Sequence, residues 1–592
     1  MNPYFRNASR RATASEIRDY VADRIGCTIS YGFSEIQKLG DAVRGGERIA
    51  GFMETDDYRE WYLPLASKDG FSWKTEAVPA CLKQKVAFLF SIGFGNGSPL
   101  PQPSGRWDIF MNDQFALSIR VVKHSQVWKR EDCIFAFAAS RIEAAEPFGS
   151  ICLSSAIQAE SFAAFGPAIL VVPSTWVRSG FPATIRIEAK SEVSSSRWFQ
   201  LASTPHIIDD SDIYRVVDLL PFKKVPKVGG YSVYFGDIHN HSGQVFESTQ
   251  NRGCGMGTRE ENYQYARGPG GMDFYALTDH EWQIDPHRTA DYFDLADKYN
   301  NDDRFVCLPG FEFTSLLYGH RNVYFKESTG AVVVNATKGW GKPTKDPRRA
   351  VTPQELWRVL ETTNSNFITV PHHSSAASHP CTWSSYEPCY DRLVEVYSSW
   401  GSSEYYGDFP RGVSDRYRTL DVRDALNRGL HLGFAASSDS HDGHPGNAQS
   451  PMVKHHHIFH HLGSGLVGVL SKELTREAIY NAMYHRRCYA TTGVPIVLQF
   501  EMNGVPMGGT LSSFPGTTKP KLEIGCIGTN GIEHIRIVKN GRVVKTIHCH
   551  GELTYHTEWE DTDRESSAAC YYYVRLVQTD RESAWSSPIW IN

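Results

Sequence analysis

Between residues 231 and 441, five short apolar runs each end in side chains that bind metal ions in proteins. The carboxyl ends of parallel strands meet on one face, so side chains that follow those ends come close together. Within GDIHNHS, residues i and i+2 of an extended segment face the same side, which lets both histidines reach one ion. The side chains at the run ends are His239 and His241, Asp279 and His280, Glu312, His372 and His373, and Asp439 and His441.

The convergence of these side chains carries more weight than any one of them. A lone D-x-H at a strand end is more often a capping or hydrogen-bonding pair, and a lone Glu there is usually solvated. Buried His, Asp and Glu side chains that share one face would, however, be costly without a compensating charge. We therefore expect a cluster that holds two or three divalent cations, which are zinc, manganese or iron.

The segment that carries these runs has the pattern of an α/β domain. From Tyr231 onward, apolar strands such as FITVPH (367–372) and LGFAASSD (432–439) alternate with helical segments. The sequence Thr352-Pro353-Gln354-Glu355 is a capping box with proline at the first helical position, and a second helix from Asp421 ends before Gly429.

The flanking segments are β-rich. Before residue 225, runs such as VAFLFSIGF (86–94) lie between turn clusters, and PFKKVPKVGG (221–230) reads as a linker. After Gly493 the β-type runs return, with Asn540-Gly541 as a hairpin signal. We expect an N-terminal mainly-β sandwich over 1–228, an α/β domain over 229–493 and a C-terminal β-sandwich over 494–592.

Length and composition narrow the possible partners. At 592 residues the chain is longer than one hydrophobic core usually serves, so we expect several domains. Its net charge is −5 and it has no long Lys/Arg run, so we expect no nucleic-acid partner. No stretch approaches the roughly 18 apolar residues of a membrane span. The 12 cysteines include no C-x-x-C pair, which fits a reducing compartment, and we expect a cytoplasmic protein.

Histidine is concentrated in the α/β segment, where 17 of the 23 residues fall. Five of them, His455, His456, His457, His460 and His461, form one run. Solvated or turn-packing side chains are a more ordinary explanation of such a run than metal binding.

These motifs resemble the PHP (polymerase and histidinol phosphatase) superfamily. The sequence is most similar to a bacterial branch that shares GDIHNHS, ALTDHE, GFEF, GHRNVYF, PHH, EVYSSWGSSE, SSDSH and RRCYATTG, followed by YYVRLVQ and a WSSPIW-like segment. The resemblance covers about 265 residues. It implies a distorted (β/α)7 barrel, here between two β-sandwich domains.

The resemblance also implies the ligand sets. A first metal is implied on His239, His241, Glu312 and Asp439, a second on His280 and His441, and a third on His320 and His372, with Glu312 bridging; His373 is the alternative to His372. Glu247 stands where members with three metals usually have a histidine, and a carboxylate can take that place.

Four further residues are candidates for catalysis. Arg487 could anchor a substrate anion or be an ordinary surface charge at a helix end. Asp279 could orient a ligand, take a proton, or make a strand-end hydrogen bond. Glu395 and Glu404 are candidates for groups that support the ligands or transfer protons.

Three functions remain open for a small-molecule or glycan-like substrate, in a monomer or a homo-oligomer. The first is a phosphoesterase that uses a metal-activated water, which the resemblance favours. The second is a carboxylic ester or carbamate hydrolase on the same metals, since this branch includes carbamate-cleaving enzymes. The third is a glycan-active lyase or glycan-binding protein with structural metals, for which Trp107, Trp128 and Trp176 are candidate contacts.

Overall fold

The computed structural model describes most of the second half of the chain and parts of the first. It covers residues 21–22, 25–31, 35–39, 52–54, 59–65, 70–80, 82–96, 106–120, 126–137, 162–189, 197–202, 216, 227–247, 253–255, 257–267, 271–336, 348–363, 366–376, 379–406, 419–441, 443, 445–446, 465–512, 519–562, 569–579 and 582–592. The histidine run at 455–461 and linker residues 221–226 lie outside these ranges.

The chain divides into two compact units, Met1–Lys224 with Gly268–Gly271, and Val225–Arg267 with Met272–Asn592. The strands of the first unit are β1 Cys27–Tyr31, β2 Glu35–Leu39, β3 Phe52–Glu54, β4 Arg59–Leu65, β5 Gly70–Ala77, β6 Lys85–Asn96, β7 Arg106–Met111, β8 Gln114–Arg120, β9 Gln126–Arg130, β10 Cys133–Phe137, β11 Phe162–Pro173, β12 Pro182–Ala189 and β13 Arg197–Ala202. A 3-10 turn spans Ser174–Trp176.

The first unit contains an eight-stranded and a five-stranded sheet. Alternate residues of β6 and β12, including Phe88, Phe90 and Ile185, are buried in one apolar core that both sheets share. Strand β6 contains the run VAFLFSIGF (86–94), which the sequence predicted to be a strand.

The tryptophans considered for glycan binding belong to this core. Trp107 and Trp128 are 1% and 0% exposed, and Trp176 packs against the same cluster. Trp107 and Trp128 therefore stabilise the first unit through burial and offer no ring face to a sugar.

The second unit holds the other strands, in four sheets. They are β14 Lys227–Val228, β15 Tyr231–Asp237, β16 Phe274–Tyr275, β17 Val306–Cys307, β18 Gly310–Ser315, β19 Gly319–Phe325, β20 Asn335–Ala336, β21 Arg349–Ala350, β22 Phe367–Pro371, β23 Leu393–Ser398, β24 Gly401–Ser402, β25 Gly433–Ala436, β26 Leu466–Ser471, β27 Cys488–Thr491, β28 Val497–Met502, β29 Val505–Pro506, β30 Thr510–Leu511, β31 Lys521–Lys539, β32 Arg542–Glu560, β33 Cys570–Gln578, β34 Ser583–Ser586 and β35 Ile589–Ile591.

Both parallel and antiparallel pairing occur around the predicted cluster. Strands β15, β16 and β17 pair in parallel, as do β23 and β25. Strand β19 pairs antiparallel with both β18 and β22, and β15 pairs antiparallel with β26. The second unit is therefore mixed and strand-rich, and closure of its strands into a (β/α)7 barrel stays a prediction.

Five α-helices are described in the second unit. They are α1 Arg259–Arg267, α2 Thr289–Tyr299, α3 Pro353–Glu361, α4 Val422–Asn427 and α5 Arg476–Tyr484, and a 3-10 turn spans Glu281–Gln283. The predicted capping box is present at α3, where the Thr352 side chain accepts from Glu355 N. Helix α4 begins after Asp421, as the sequence predicted.

Strands after Gly493 continue the largest sheet of the second unit. In that sheet β27 pairs with β34, and β31 pairs with β28, β32 and β33. The predicted hairpin turn lies between β31 and β32, where Asn540 and Gly541 have φ of 47° and 73°. A separate domain boundary at residue 494 stays a prediction.

Among the described residues, no helix is long and apolar enough to cross a bilayer.

Candidate metal centre

Strand ends bring the predicted ligands into one buried cluster. His239 and His241 follow β15, His372 follows β22, and Asp439 follows β25. Single parallel bridges join Asn240 to Ser440 and His280 to Glu312, which aligns these segments at the same level.

Glu312 and His320 reach the cluster from within strands. Glu312 lies in β18 and His320 in β19, and this hairpin sets Thr314 opposite His320. Because Glu312, Thr314 and His320 all point to one face of the hairpin, their side chains meet where the neighbouring strands end.

The first implied ligand set has the spacing of a metal site. His239 Nε2 lies 3.2 Å from His241 Nε2, 3.3 Å from Glu312 Oε2 and 3.3 Å from Asp439 Oδ1. His241 Nε2 lies 3.1 Å from Glu312 Oε2 and 3.3 Å from Asp439 Oδ1. Ligand atoms about 2.0–2.1 Å from a tetrahedral cation are roughly 3.3–3.4 Å apart. The donor set therefore fits a divalent cation.

The other oxygen of Glu312 faces the third implied set. Glu312 Oε1 lies 2.6 Å from His320 Nδ1 and 3.2 Å from His372 Nε2. His373 belongs to the same group, in which all ligand atoms lie within 4.8 Å of one another. Both histidines of the His372-His373 pair are thus at the cluster, and one carboxylate joins two ligand sets.

The second set contains a residue that the sequence analysis did not single out. His241, His280, His441 and Cys254 place ligand atoms within 4.8 Å of one another. Cys254 lies in a glycine-rich loop without any spacing motif, so no sequence signal placed it beside the histidines.

Electrostatics at the first set favour positive charge. Burial opposes charge on His239, but Asp439 and Glu395 raise the pKa of its imidazole to about 10. Burial also opposes ionisation of Glu312, yet His280, His372 and His320 hold the pKa of its carboxyl well below the usual range. A cation between these side chains would replace the proton that His239 otherwise retains.

Three histidines of the other sets are easier to keep neutral than His239. Burial, followed by the charge of His241, lowers the pKa of His441 to about 4. Burial lowers the pKa of His320 and holds that of His373 well below its usual value. Neutral imidazole is the form that binds a metal.

Two of the proposed supporting residues lie directly behind the ligands. Glu395 Oε2 is 3.0 Å from His239 Nδ1 and also accepts from Ser437 Oγ at 2.7 Å, which orients the His239 ring. Asp279 accepts from Ser242 N and from Arg259 Nε at 2.7 and 2.9 Å. These hydrogen bonds hold the segment that follows His241 in place.

Three of the sequence candidates lie away from the cluster. Glu247 is exposed and pairs with Arg288 Nη1 at 3.0 Å, because the turn after β15 carries it outward. Arg487 precedes β27, and its guanidinium lies over the ring of Tyr231. Tyr231 is at the end of the sheet opposite to the ligands. Tyr231 and His239 are eight residues apart along an extended strand, so Arg487 lies roughly 25 Å from the ligands.

Glu404 is a packing residue. Its buried carboxylate accepts from Tyr573 OH, Arg575 Nη1 and Trp585 Nε1, each at 2.6 Å. These three donors come from β33 and β34, so Glu404 links the residues after β24 to the largest sheet.

A second residue at the cluster was also missed by sequence. His379 is 1% exposed, and its ring stacks on His320 with the centroids 4.3 Å apart. Burial, followed by the charges of His320 and His372, lowers its pKa to about 3. It follows no strand, which is why the strand-end pattern did not identify it.

This chain is similar in sequence to a family model and to proteins of Chlamydia. A family model named Protein of unknown function (DUF3604) matches residues 276–388 and 435–502. Uncharacterized proteins of Chlamydia pneumoniae and Chlamydia trachomatis are 29% and 27% identical over 56% and 57% of this chain. Each match covers 55% of the relative, so the chain spans about half the length of the curated relatives it matches.

Two solved structures show weak similarity. One is a two-domain protein of Bacteroides vulgatus described as containing a predicted PHP-like metal-dependent phosphoesterase; it is 14% identical, with a TM-score of 0.32 over 62% of this chain and 97% of that one. The other is PsfC of Pseudomonas syringae, 15% identical, with a TM-score of 0.25 over 40% of this chain and 82% of that one.

Proposed function

We propose that this protein is a divalent-metal-dependent hydrolase that cleaves a phosphate ester with a metal-activated water. The observation that supports this most is the first ligand set, in which nitrogen and oxygen atoms of His239, His241, Glu312 and Asp439 lie 3.1–3.3 Å apart. Neighbouring divalent cations supply an activated water and offset charge on the attacked oxygen.

The chain's own groups would hold such cations side by side. Glu312 directs Oε2 to His239 and His241, and Oε1 to His320 and His372. A carboxylate that faces two ligand sets in this way would hold two cations side by side, as two-metal hydrolysis requires.

Rigid support would keep the ligands in place through turnover. Glu395 holds the ring of His239 through Nδ1, and Thr314 Oγ1 lies 2.7 Å from Nδ1 of His280. Each contact fixes one ring nitrogen, which directs the other toward the cluster. Side chains restrained this way lose little entropy when a cation binds, so the centre is preorganised.

A carboxylic ester or carbamate is the second candidate substrate. Arg487, the predicted anion anchor, lies at the far end of the sheet, and all of the Arg259 guanidinium nitrogens donate to Asp279, Phe246 O and Gln283 O. Neither arginine is placed to bind a phosphate group, which favours an uncharged substrate. Against that, cations can themselves offset phosphate charge.

A substrate panel tests the proposal. The metal-loaded chain is assayed on aryl phosphate monoesters and diesters, aryl carboxylic esters and aryl carbamates, beside the Glu312→Gln variant. We expect phosphate ester turnover that requires metal and is lost in Glu312→Gln. Glu327→Gln, which changes an exposed glutamate in the same way, is the matched control and should retain metal-dependent turnover.

The other outcomes separate the candidates. Metal-dependent turnover confined to esters or carbamates would replace the phosphoesterase assignment with the second candidate. If no compound is hydrolysed faster with metal than without it, the hydrolase proposal is wrong.

A further inference from the structure

The segment Gly253-Cys254-Gly255 is hydrogen-bonded through its backbone to the residues that follow His241. Gly253 N donates to Gly243 O at 2.8 Å, and Gly255 N donates to Ser242 O at 3.1 Å. A Cβ added to Gly255 would lie 2.0 Å from His241 O, so this close approach requires glycine. The backbone therefore places the Cys254 side chain beside His241.

Cys254 faces histidines whose rings are already oriented. His280 Nδ1 lies 2.7 Å from Thr314 Oγ1, and His441 Nδ1 lies 2.9 Å from Asp439 O. When Nδ1 is held in this way, Nε2 is the nitrogen that binds a metal. The His241 ring stacks on the His280 ring and makes a tilted contact with the His441 ring, with centroids 4.5 and 4.3 Å apart.

A sulfur donor occupies the place where a carboxylate was expected. Glu247 is exposed and engaged with Arg288, whereas Cys254 Sγ belongs to the group whose ligand atoms lie within 4.8 Å of one another. That group, here called the thiol site, consists of Cys254, His280 and His441 with His241 at its border. It contains no carboxylate.

We propose that Cys254 is the thiolate ligand of a separate divalent cation at the thiol site, and that its sulfur makes this site select zinc over manganese or magnesium. The inference deepens the proposed function and rests on it. Nitrogen and sulfur donors suit zinc, whereas oxygen donors suit manganese and magnesium. The sets around Glu312 contain carboxylates, so the two kinds of site differ in the metals they prefer.

Metal binding at the thiol site is balanced by loss of one proton. Cys254 Sγ lies 2.8 Å from Gln283 Oε1, to which the thiol donates. On binding, the sulfur–hydrogen bond breaks, the proton leaves to solvent, and the electron pair forms the bond to the cation. No oxidant or reductant is involved.

Cobalt substitution tests the assignment independently of activity. The full chain is stripped of metal, reloaded with Co²⁺ under anaerobic conditions, and its metal content and near-ultraviolet spectrum are measured. We expect a thiolate-to-cobalt charge-transfer band, which disappears in Cys254→Ser with the loss of about one cation per chain. Cys254→His should restore the cation but not the band.

The exposed residue Cys389 provides the matched control, since Cys389→Ser should keep both the band and the metal content. A chain that binds Co²⁺ without the band, or a band that persists in Cys254→Ser, would overturn the thiolate assignment while leaving the proposed metal centre intact. A chain that binds no cation at all would overturn both.

Discussion

Glu312→Gln is the substitution with the largest expected effect on metal binding. The Glu312 side chain is 1% exposed, and glutamine preserves its shape while removing its charge. The carboxylate oxygens lie 2.6–3.4 Å from nitrogens of five imidazoles, those of His239, His241, His280, His320 and His372.

The magnitude follows from charge and distance. One pair of unit charges about 4 Å apart contributes about 4 kcal/mol at an effective dielectric constant of ~20. A divalent cation carries two unit charges, so at about 1.4 kcal/mol per factor of ten the loss of the Glu312 charge should weaken cation binding by at least about a thousandfold at each of the two sets it joins. Turnover should fall with occupancy.

Competition with a chelator of known affinity measures this change. Glu327→Gln is the control, because that exposed glutamate follows β19 without reaching the cluster. Cation affinities in Glu312→Gln equal to those of the unsubstituted chain would refute the assignment of Glu312 as the bridging ligand.

Other substitutions should separate metal binding from stability. Glu395→Gln should weaken cation binding by about 10- to 100-fold, because the charge behind His239 is lost, and calorimetric titration measures it; an unchanged affinity would show that Glu395 does not support the ligand. Glu404→Gln should lower the free energy of unfolding by about 3–5 kcal/mol in denaturant titrations, since Arg575 loses its buried partner, yet leave cation affinity unchanged; reduced cation affinity would contradict its packing role. Gly255→Ala should release the cation of the thiol site, which elemental analysis would detect, and full retention would contradict the close approach at this glycine.

Local signals in the sequence predicted local structure well. The capping box at Thr352 and the turn at Asn540-Gly541 both occur as expected, because each depends on a few adjacent residues. The apolar run that ends at Asp279 was expected to be one strand, but within it only Phe274–Tyr275 pairs, as β16. The residues that follow instead bond to distant segments, such as Asp279 to Arg259.

The site was predictable where ligands follow strand ends and less so elsewhere. His239 and Asp439 follow buried strands, so their meeting was expected from the pattern. His320 was expected through resemblance alone, since an antiparallel hairpin delivers it. Cys254 depends on long-range backbone hydrogen bonds and on glycines that allow close approach, which spacing in the sequence does not encode.

Arg487 and Glu404 were expected near the ligands, and the structure places both away from the cluster. Both residues lie within motifs shared with the branch that the sequence resembles, but a shared motif does not fix which end of the sheet a residue occupies, because that depends on the direction of the strand. Strand β27 runs so that Thr491, and not Arg487, lies toward the end of the sheet that carries the ligands.

The other predictions depend on the proposal that the buried cluster of histidines and carboxylates is a catalytic metal centre. Its most direct test is elemental analysis of the purified chain before and after exhaustive chelation, with turnover and far-ultraviolet circular dichroism measured on the same samples. We expect two or three divalent cations per chain, about the number of ligand sets. Chelation should remove the cations and the activity while most of the fold is retained, and reloading should restore turnover. Full turnover in a sample that elemental analysis shows to be free of metal would contradict the proposal of a catalytic metal centre.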